Sequence, residues 1–183
     1  MSLAQVLTIV AFAALMIGIN AFYVAAEFSA LAARKSRIAQ MAAAGEGVAK
    51  RLLPIIEDRH KLDEFIAASQ VGITASSLIL GAYGQFVART LLAPFLTDWG
   101  WLAEAAALSI SATVMLVTFT TLQVIVGELL PKSLALQFPE QIAKALVLPM
   151  QWSLVVLSPF IWLLNGSGVL ILKLLNRYEG SGQ

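Results

Sequence analysis

Apolar residues fill most of positions 3–33, with Asn20 deep within the run and Glu27 its only charged residue, and the run stops at Arg34, Lys35 and Arg37. About 20 mostly apolar residues suffice for a helix to cross the roughly 30 Å hydrocarbon core of a bilayer, so this stretch predicts a first span. Over residues 34–61 the charges Lys50, Arg51, Glu57, Asp58 and Arg59 alternate with Ile38, Met41, Val48, Leu52, Ile55 and Ile56 at near-helical spacing. That pattern predicts amphipathic helices lying along the membrane surface, with a break at Pro54. Residues 62–92 form a second apolar run rich in Ala67, Ala68, Ser69, Gly72, Ala75, Ser76 and Gly81. Small residues of this kind let helix backbones approach closely in lipid. Pro94, Asp98 and Gly100 predict a loop, followed by a third span over 101–130 that ends at Gly127-Glu128-Leu129-Leu130-Pro131-Lys132. A last apolar run over 145–175 is interrupted by Pro149, Pro159 and Asn165-Gly166; one long span would put Lys173 and Arg177 outside, against the charge rule, so a helical hairpin folded at Pro159 is preferred. The fold class expected is therefore all-α integral membrane. It comprises three transmembrane helices, amphipathic juxtamembrane helices and a Pro-broken C-terminal helical hairpin. Residues 1–178 form one domain, and 179–183 read as a linker or tail.

Composition agrees with this pattern. Of 183 residues, 59% are hydrophobic and 13% charged, where soluble domains carry charge at roughly a quarter of positions. The net charge of +1 gives no reason to expect a nucleic-acid partner. The chain has no cysteine, which removes disulfides, thiolate metal sites and cysteine nucleophiles together, and its single histidine, His60, excludes a His-rich metal site. Basic residues favour the cytoplasm. Arg34, Lys35, Arg37, Lys50, Arg51, Arg59 and Lys61 lie between the first two spans, whereas Arg89 accompanies Asp98 and Glu104 between the second and third. The expected arrangement is a multi-pass protein of the inner (plasma) membrane, with its N-terminus outside and its C-terminus cytoplasmic. Trp99, Trp101, Tyr83 and Trp152 read as interfacial anchors.

Glu128 is the most informative residue. A carboxylate in a span is costly unless it is paired, hydrated or bound to a cation. Pro131 has no N–H to offer the carbonyl of Gly127, so a free carbonyl oxygen lies beside a carboxylate. Those are hard oxygen ligands of the kind that Mg²⁺ or Ca²⁺ takes. The blander reading ends the helix at Pro131 and pairs Glu128 with Lys132 at the interface. A second acid, Glu27, shares one helix face with Asn20 and Tyr23, and pairing with a basic residue competes with metal ligation there. Two small-polar stripes, Ser69/Gly72/Ser76 and Gln70/Thr74/Ser77/Gly81, mark the second span. Ser69 is its best candidate ligand, because it lies about two turns from the cytoplasmic end, at a depth similar to Glu27 and Glu128. Thr113, Thr118, Thr120 and Thr121 are expected to bond back to their own helix. No Ser-His or Ser-Lys pairing supports an intramembrane hydrolase, since His60 lies in the charged surface segment.

The segments Asn20-Ala21-Phe22-Tyr23-Val24-Ala25-Ala26-Glu27-Phe28-Ser29, Ser69-Gln70-Val71-Gly72-Ile73-Thr74 and Gly127-Glu128-Leu129-Leu130-Pro131-Lys132-Ser133-Leu134-Ala135 resemble the transmembrane domain of the CorC/CNNM magnesium transporters, as does Pro159-Phe160-Ile161-Trp162-Leu163-Leu164-Asn165. The resemblance implies a homodimer in membrane lipid. It implies Mg²⁺ bound between the spans and export coupled to Na⁺, with no enzymatic activity. By position it makes Gly127, Glu128 and Ser69 metal ligands. Many relatives have serines just before the position of Glu27, where this chain has Val24, Ala25 and Ala26. Backbone carbonyls near Tyr23 and Ala26, or the Ser29 hydroxyl, would substitute. The family also implies cytoplasmic CBS domains outside these residues, through which alone ATP would act. A non-transporting sensor or membrane anchor for such domains is the alternative reading.

Overall fold

The structure is a computed structural model that describes residues 3–98 and 103–179, with side chains as far as Phe160. The described residues are all helical apart from short connections, so the protein is an all-α membrane protein. Helix α1 (Leu3–Ala32) is followed by two short helices, α2 (Lys35–Ala43) and α3 (Gly47–Glu57). Then come α4 (Arg59–Val87), α5 (Ala93–Asp98), α6 (Glu104–Leu122), α7 (Leu130–Gln137) and α8 (Pro139–Glu179). A π-helical segment, Ala88–Leu92, joins α4 to α5, and a second, Gln123–Leu129, joins α6 to α7. Among the described residues, four helical stretches are long and apolar enough to cross a membrane: Leu3–Ala32, Arg59–Asp98, Glu104–Gln137 and Pro139–Phe160.

The prolines do not break the chain where the sequence suggested. Pro54 lies inside α3, Pro94 inside α5, Pro131 at the start of α7, and α8 runs as one helix through both Pro149 and Pro159 rather than folding into a hairpin. A proline removes one N–H and crowds the carbonyl four residues before it, and in membrane helices neighbouring groups or a local π adjustment can absorb that defect. Both π segments end two residues before a proline, Pro94 or Pro131. In each, the N–H just before the proline reaches back five residues, Ala93 to the carbonyl of Ala88 and Leu130 to that of Ile125. The break after α3 comes instead at Asp58, whose Oδ1 accepts from the N–H of His60 at 2.9 Å and of Lys61 at 3.4 Å and caps α4. Trp99, Gly100, Trp101 and residues 180–183 lie outside the described residues, as do the side chains of Trp162, Asn165, Lys173 and Arg177.

The helices α2 and α3 are amphipathic as expected, but their apolar faces do not meet lipid. Ile38, Ala49 and Leu52 are fully buried, and Ile55 and Ile56 nearly so, in one core with Ala30, Phe65, Ala68, Val147 and Met150 of α1, α4 and α8. The chain turns between α2 and α3 at Gly45, whose φ of +98° favours glycine. Two ion pairs fasten this layer to α8: Arg37 to Glu140 at 3.7 Å and Lys144 to Glu46 at 2.6 Å.

Candidate ion-binding site

Asn20 is 2% exposed and joins three spans. Its Nδ2 donates to the carbonyl of Gly127 at 3.1 Å, and its Oδ1 accepts from Ser76 Oγ at 3.0 Å and from Ser77 Oγ at 3.4 Å. Gln123 Nε2 donates in turn to Ser77 Oγ. Thus the carbonyl of Gly127, four residues before Pro131, receives a donor from a side chain 107 residues away. The crossing is close at Gly127: a Cβ there would lie 3.2 Å from Asn20 Nδ2 and 3.4 Å from the carbonyl of Ile17, so the Asn20 amide would have to give by a few tenths of an ångström. A π segment at such a junction fits the general finding that π bulges occur at functional sites.

The contacts also fix how the spans run. Residue 20 meets 127 and residue 28 meets 132, so the first and third spans are parallel. Residue 20 meets 76 and residue 23 meets 72, so α4 is antiparallel to α1. The face shared by Asn20, Tyr23 and Glu27 is therefore the face packed on α4. The Tyr23 ring lies directly on the backbone of Gly72, and its hydroxyl shares a 2.6 Å hydrogen bond with Ser153 of α8. A cavity of about 240 Å³ lies beside the cluster, with Ser77, Gly81, Thr120 and Gln123 among its lining residues. It is large enough for several waters.

The expected ligands fall into two levels. Gly127 belongs to the Asn20 cluster. Glu128 follows it on the exposed side of the helix and has no hydrogen bond or ion pair among the described residues; Lys132 lies over the Phe28 ring instead. Ser69 and Ser29 are fully buried, with hydroxyls donating within their own helices, to Phe65 O at 3.0 Å and Ala26 O at 3.2 Å. A hydroxyl that donates in this way keeps its lone pairs for a cation. Ser69 precedes Ser76 by two helical turns, about 10 Å along α4. Thr113 bonds back to Ser109 O at 2.9 Å, and His60 lies on the surface 3.4 Å from Glu64. Sequence reasoning did not single out Gln123. Its signal was an amide four residues before Gly127 in an otherwise apolar run. Among the described residues no three His, Cys, Asp or Glu side chains cluster around a metal position, so any cation here would be held mostly by neutral oxygens.

Comparison with known proteins places the chain. Residues 11–183 match the cyclin M transmembrane N-terminal domain. The UPF0053 protein YhdT of Bacillus subtilis is 37% identical over 171 residues, covering 91% of this chain and 36% of that protein. An uncharacterized protein of Mycobacterium tuberculosis, MT1889, is 34% identical over 170 residues, covering 93% of this chain and 47% of its own length. A polyamine export protein of Haemophilus influenzae is 26% identical over 158 residues, with 85% and 34% covered. The chain thus spans between about a third and a half of the length of these relatives. It belongs to the CNNM/CorC family and matches that family's transmembrane domain.

Proposed function

We propose that this domain carries Mg²⁺ across the inner membrane, binding it between the first three spans. The observation that supports the reading best is the meeting of α1, α4 and the second π segment at the Asn20 amide, where Gly127 is followed by a Glu128 carboxylate that no described residue pairs. Mg²⁺ takes six oxygens in near-octahedral order and gives up its water reluctantly. Glu128 would supply the charge. Gly127, Asn20, Ser76 and Ser77 would supply neutral oxygens, the adjoining cavity would hold retained water, and Ser69, Ser29 and the Tyr23 and Ala26 carbonyls would form a second station two turns along. Export coupled to Na⁺ by a homodimer, with the N-terminus outside and the C-terminus cytoplasmic, completes the reading, and ATP would act only through CBS domains beyond these residues.

The test is Mg²⁺ binding by calorimetry on the protein and on Glu128→Ala, followed by flux in liposomes, with Ca²⁺, Na⁺ and spermidine as competitors. Binding and flux that both disappear in Glu128→Ala are expected. Full flux in that variant removes Glu128 from the mechanism. Binding without flux in the unaltered protein points to a sensor or anchor, and displacement by spermidine but not by Ca²⁺ points to the polyamine chemistry for which the Haemophilus relative is named.

A further inference from the structure

The second span closes and the third opens at the level where α1 begins. Arg59–Asp98 ends with α5 and Glu104–Gln137 starts with α6, and Val6 and Val10 of α1 line an apolar pocket with Leu91 and Phe95. Between α5, the first π segment and α6 lies a cavity of about 520 Å³, within the roughly 300–1,000 Å³ usual for small-ligand sites. Ala93, Pro94 and Leu108 give it apolar walls, and Arg89, Thr97 and Glu104 give it a cation, a hydroxyl and a carboxylate. Arg89 and Glu104 are exposed, and among the described residues neither enters an ion pair, with the other or with any further residue. The Thr97 hydroxyl donates to the carbonyl of Pro94 at 2.9 Å and so keeps its lone pairs for a donor. Opposite charges that line one cavity without meeting match a ligand that carries both charges itself. The position narrows that ligand. A cavity where two spans end lies at the depth of lipid headgroups, and Leu108 in its wall and Phe95, next to Pro94, are exposed apolar surface.

We propose that this cavity binds the headgroup of a zwitterionic phospholipid with a primary ammonium, of which phosphatidylethanolamine is the simplest. Arg89 takes the phosphate, whose oxygens suit its planar fork of N–H donors. The ammonium donates to the Glu104 carboxylate and the Thr97 hydroxyl, and the acyl chains lie along Leu108 and Phe95. A choline headgroup carries the same charges but has no N–H to donate, and a glycerol headgroup has no cation. The site therefore selects by hydrogen bonding as well as by charge. The proposal does not rest on the Mg²⁺ reading, since none of these residues belongs to the Asn20 cluster.

The experiment adds ethanolamine, choline and glycerol phospholipids with identical acyl chains to the delipidated protein in detergent, and reads each affinity by native mass spectrometry. The ethanolamine lipid should bind about tenfold more tightly than the choline lipid, the worth of a charge-assisted hydrogen bond. Arg89→Gln should weaken the ethanolamine lipid by about the same factor. Glu104→Ala should bring the ethanolamine and choline lipids to within about threefold of each other. Both residues are exposed, so each variant should melt without lipid as the unaltered protein does. If one does not, the ratio of the two affinities within that variant still decides, because global stability cancels from it. Equal affinities for the three lipids in the unaltered protein overturn the proposal, and so does an ethanolamine preference that survives Glu104→Ala. Free phosphorylethanolamine that competes at the concentration where the lipid binds also overturns it, and makes the ligand a soluble zwitterion.

Discussion

Replacing Asn20 by alanine removes three interhelical hydrogen bonds, but their losses are unequal. Ser76 Oγ keeps the carbonyls of Gly72 at 2.9 Å and Ile73 at 3.0 Å, and Ser77 Oγ keeps Ile73 O at 2.7 Å. The Gly127 carbonyl loses its side-chain donor, and Pro131, four residues on, has no N–H to offer in its place. An interhelical hydrogen bond in a membrane protein contributes on average about 0.6 kcal/mol, whereas a buried polar group left unsatisfied costs roughly 1–3 kcal/mol. Asn20→Ala should therefore cost about 2 kcal/mol, chiefly through Gly127, while Ser77→Ala should cost well under 1 kcal/mol on the same scale. For a chain of this size 1 kcal/mol corresponds to about 2–4 °C in Tm, so thermal unfolding in detergent should show a drop of about 4–8 °C for Asn20→Ala. The mechanism has a sharper signature in Pro131→Ala, which restores an N–H four residues after Gly127. In that background Asn20→Ala should lose about half its cost, a coupling of about 1 kcal/mol. Equal costs for Asn20→Ala and Ser77→Ala, or an Asn20→Ala cost unchanged by Pro131→Ala, would refute the reasoning.

Two further substitutions test the packing. Gly72→Ala would place a Cβ 2.3 Å from the Tyr23 ring, which its bond to Ser153 holds in place; the expected cost is about 1–3 kcal/mol, with partial recovery in Gly72→Ala/Tyr23→Leu, and a neutral Gly72→Ala on a thermal melt would contradict the contact. Lys144→Gln breaks the pair with Glu46, whose side chains are 23% and 46% exposed. It should cost less than about 1 kcal/mol, and less still in high salt, so a salt-independent loss above that would show a tighter pair than the geometry supports.

The limits of the first span were legible in the sequence, and so was the all-α class. α1 ends at Ala32 because Arg34 and Lys35 follow, and no competing signal obscures that edge. The prolines were misleading. Their local effect is real, but whether a helix stops or merely widens depends on who else can serve the freed carbonyl. For Gly127 the answer is Asn20, and nothing local connects the two. The amphipathic period of α2 and α3 was also legible, but a period cannot say whether the apolar face meets lipid or protein; here Leu52 and Ile38 meet Phe65 and Val147. Of the site, the Gly127–Glu128 element could be found by its chemistry. Ser76 and Ser77 were visible as stripes of small polar residues, but their convergence on one amide is a property of the tertiary register. Gln123 stood in a run that read as plain span.

The burial of α2 and α3 against the feet of α1, α4 and α8 gives one chain two solvents. Between the spans, apolar contact replaces apolar lipid, so close packing and hydrogen bonds must hold the helices together. In the layer built by Ile38, Leu52, Ile55 and Ile56, apolar surface is removed from water, and the hydrophobic effect operates in full. Urea weakens that second force by solvating apolar and peptide groups from the aqueous side. A denaturant titration should therefore loosen the α2–α3 layer while the spans persist, and the two halves of the molecule should lose their structure as separate events.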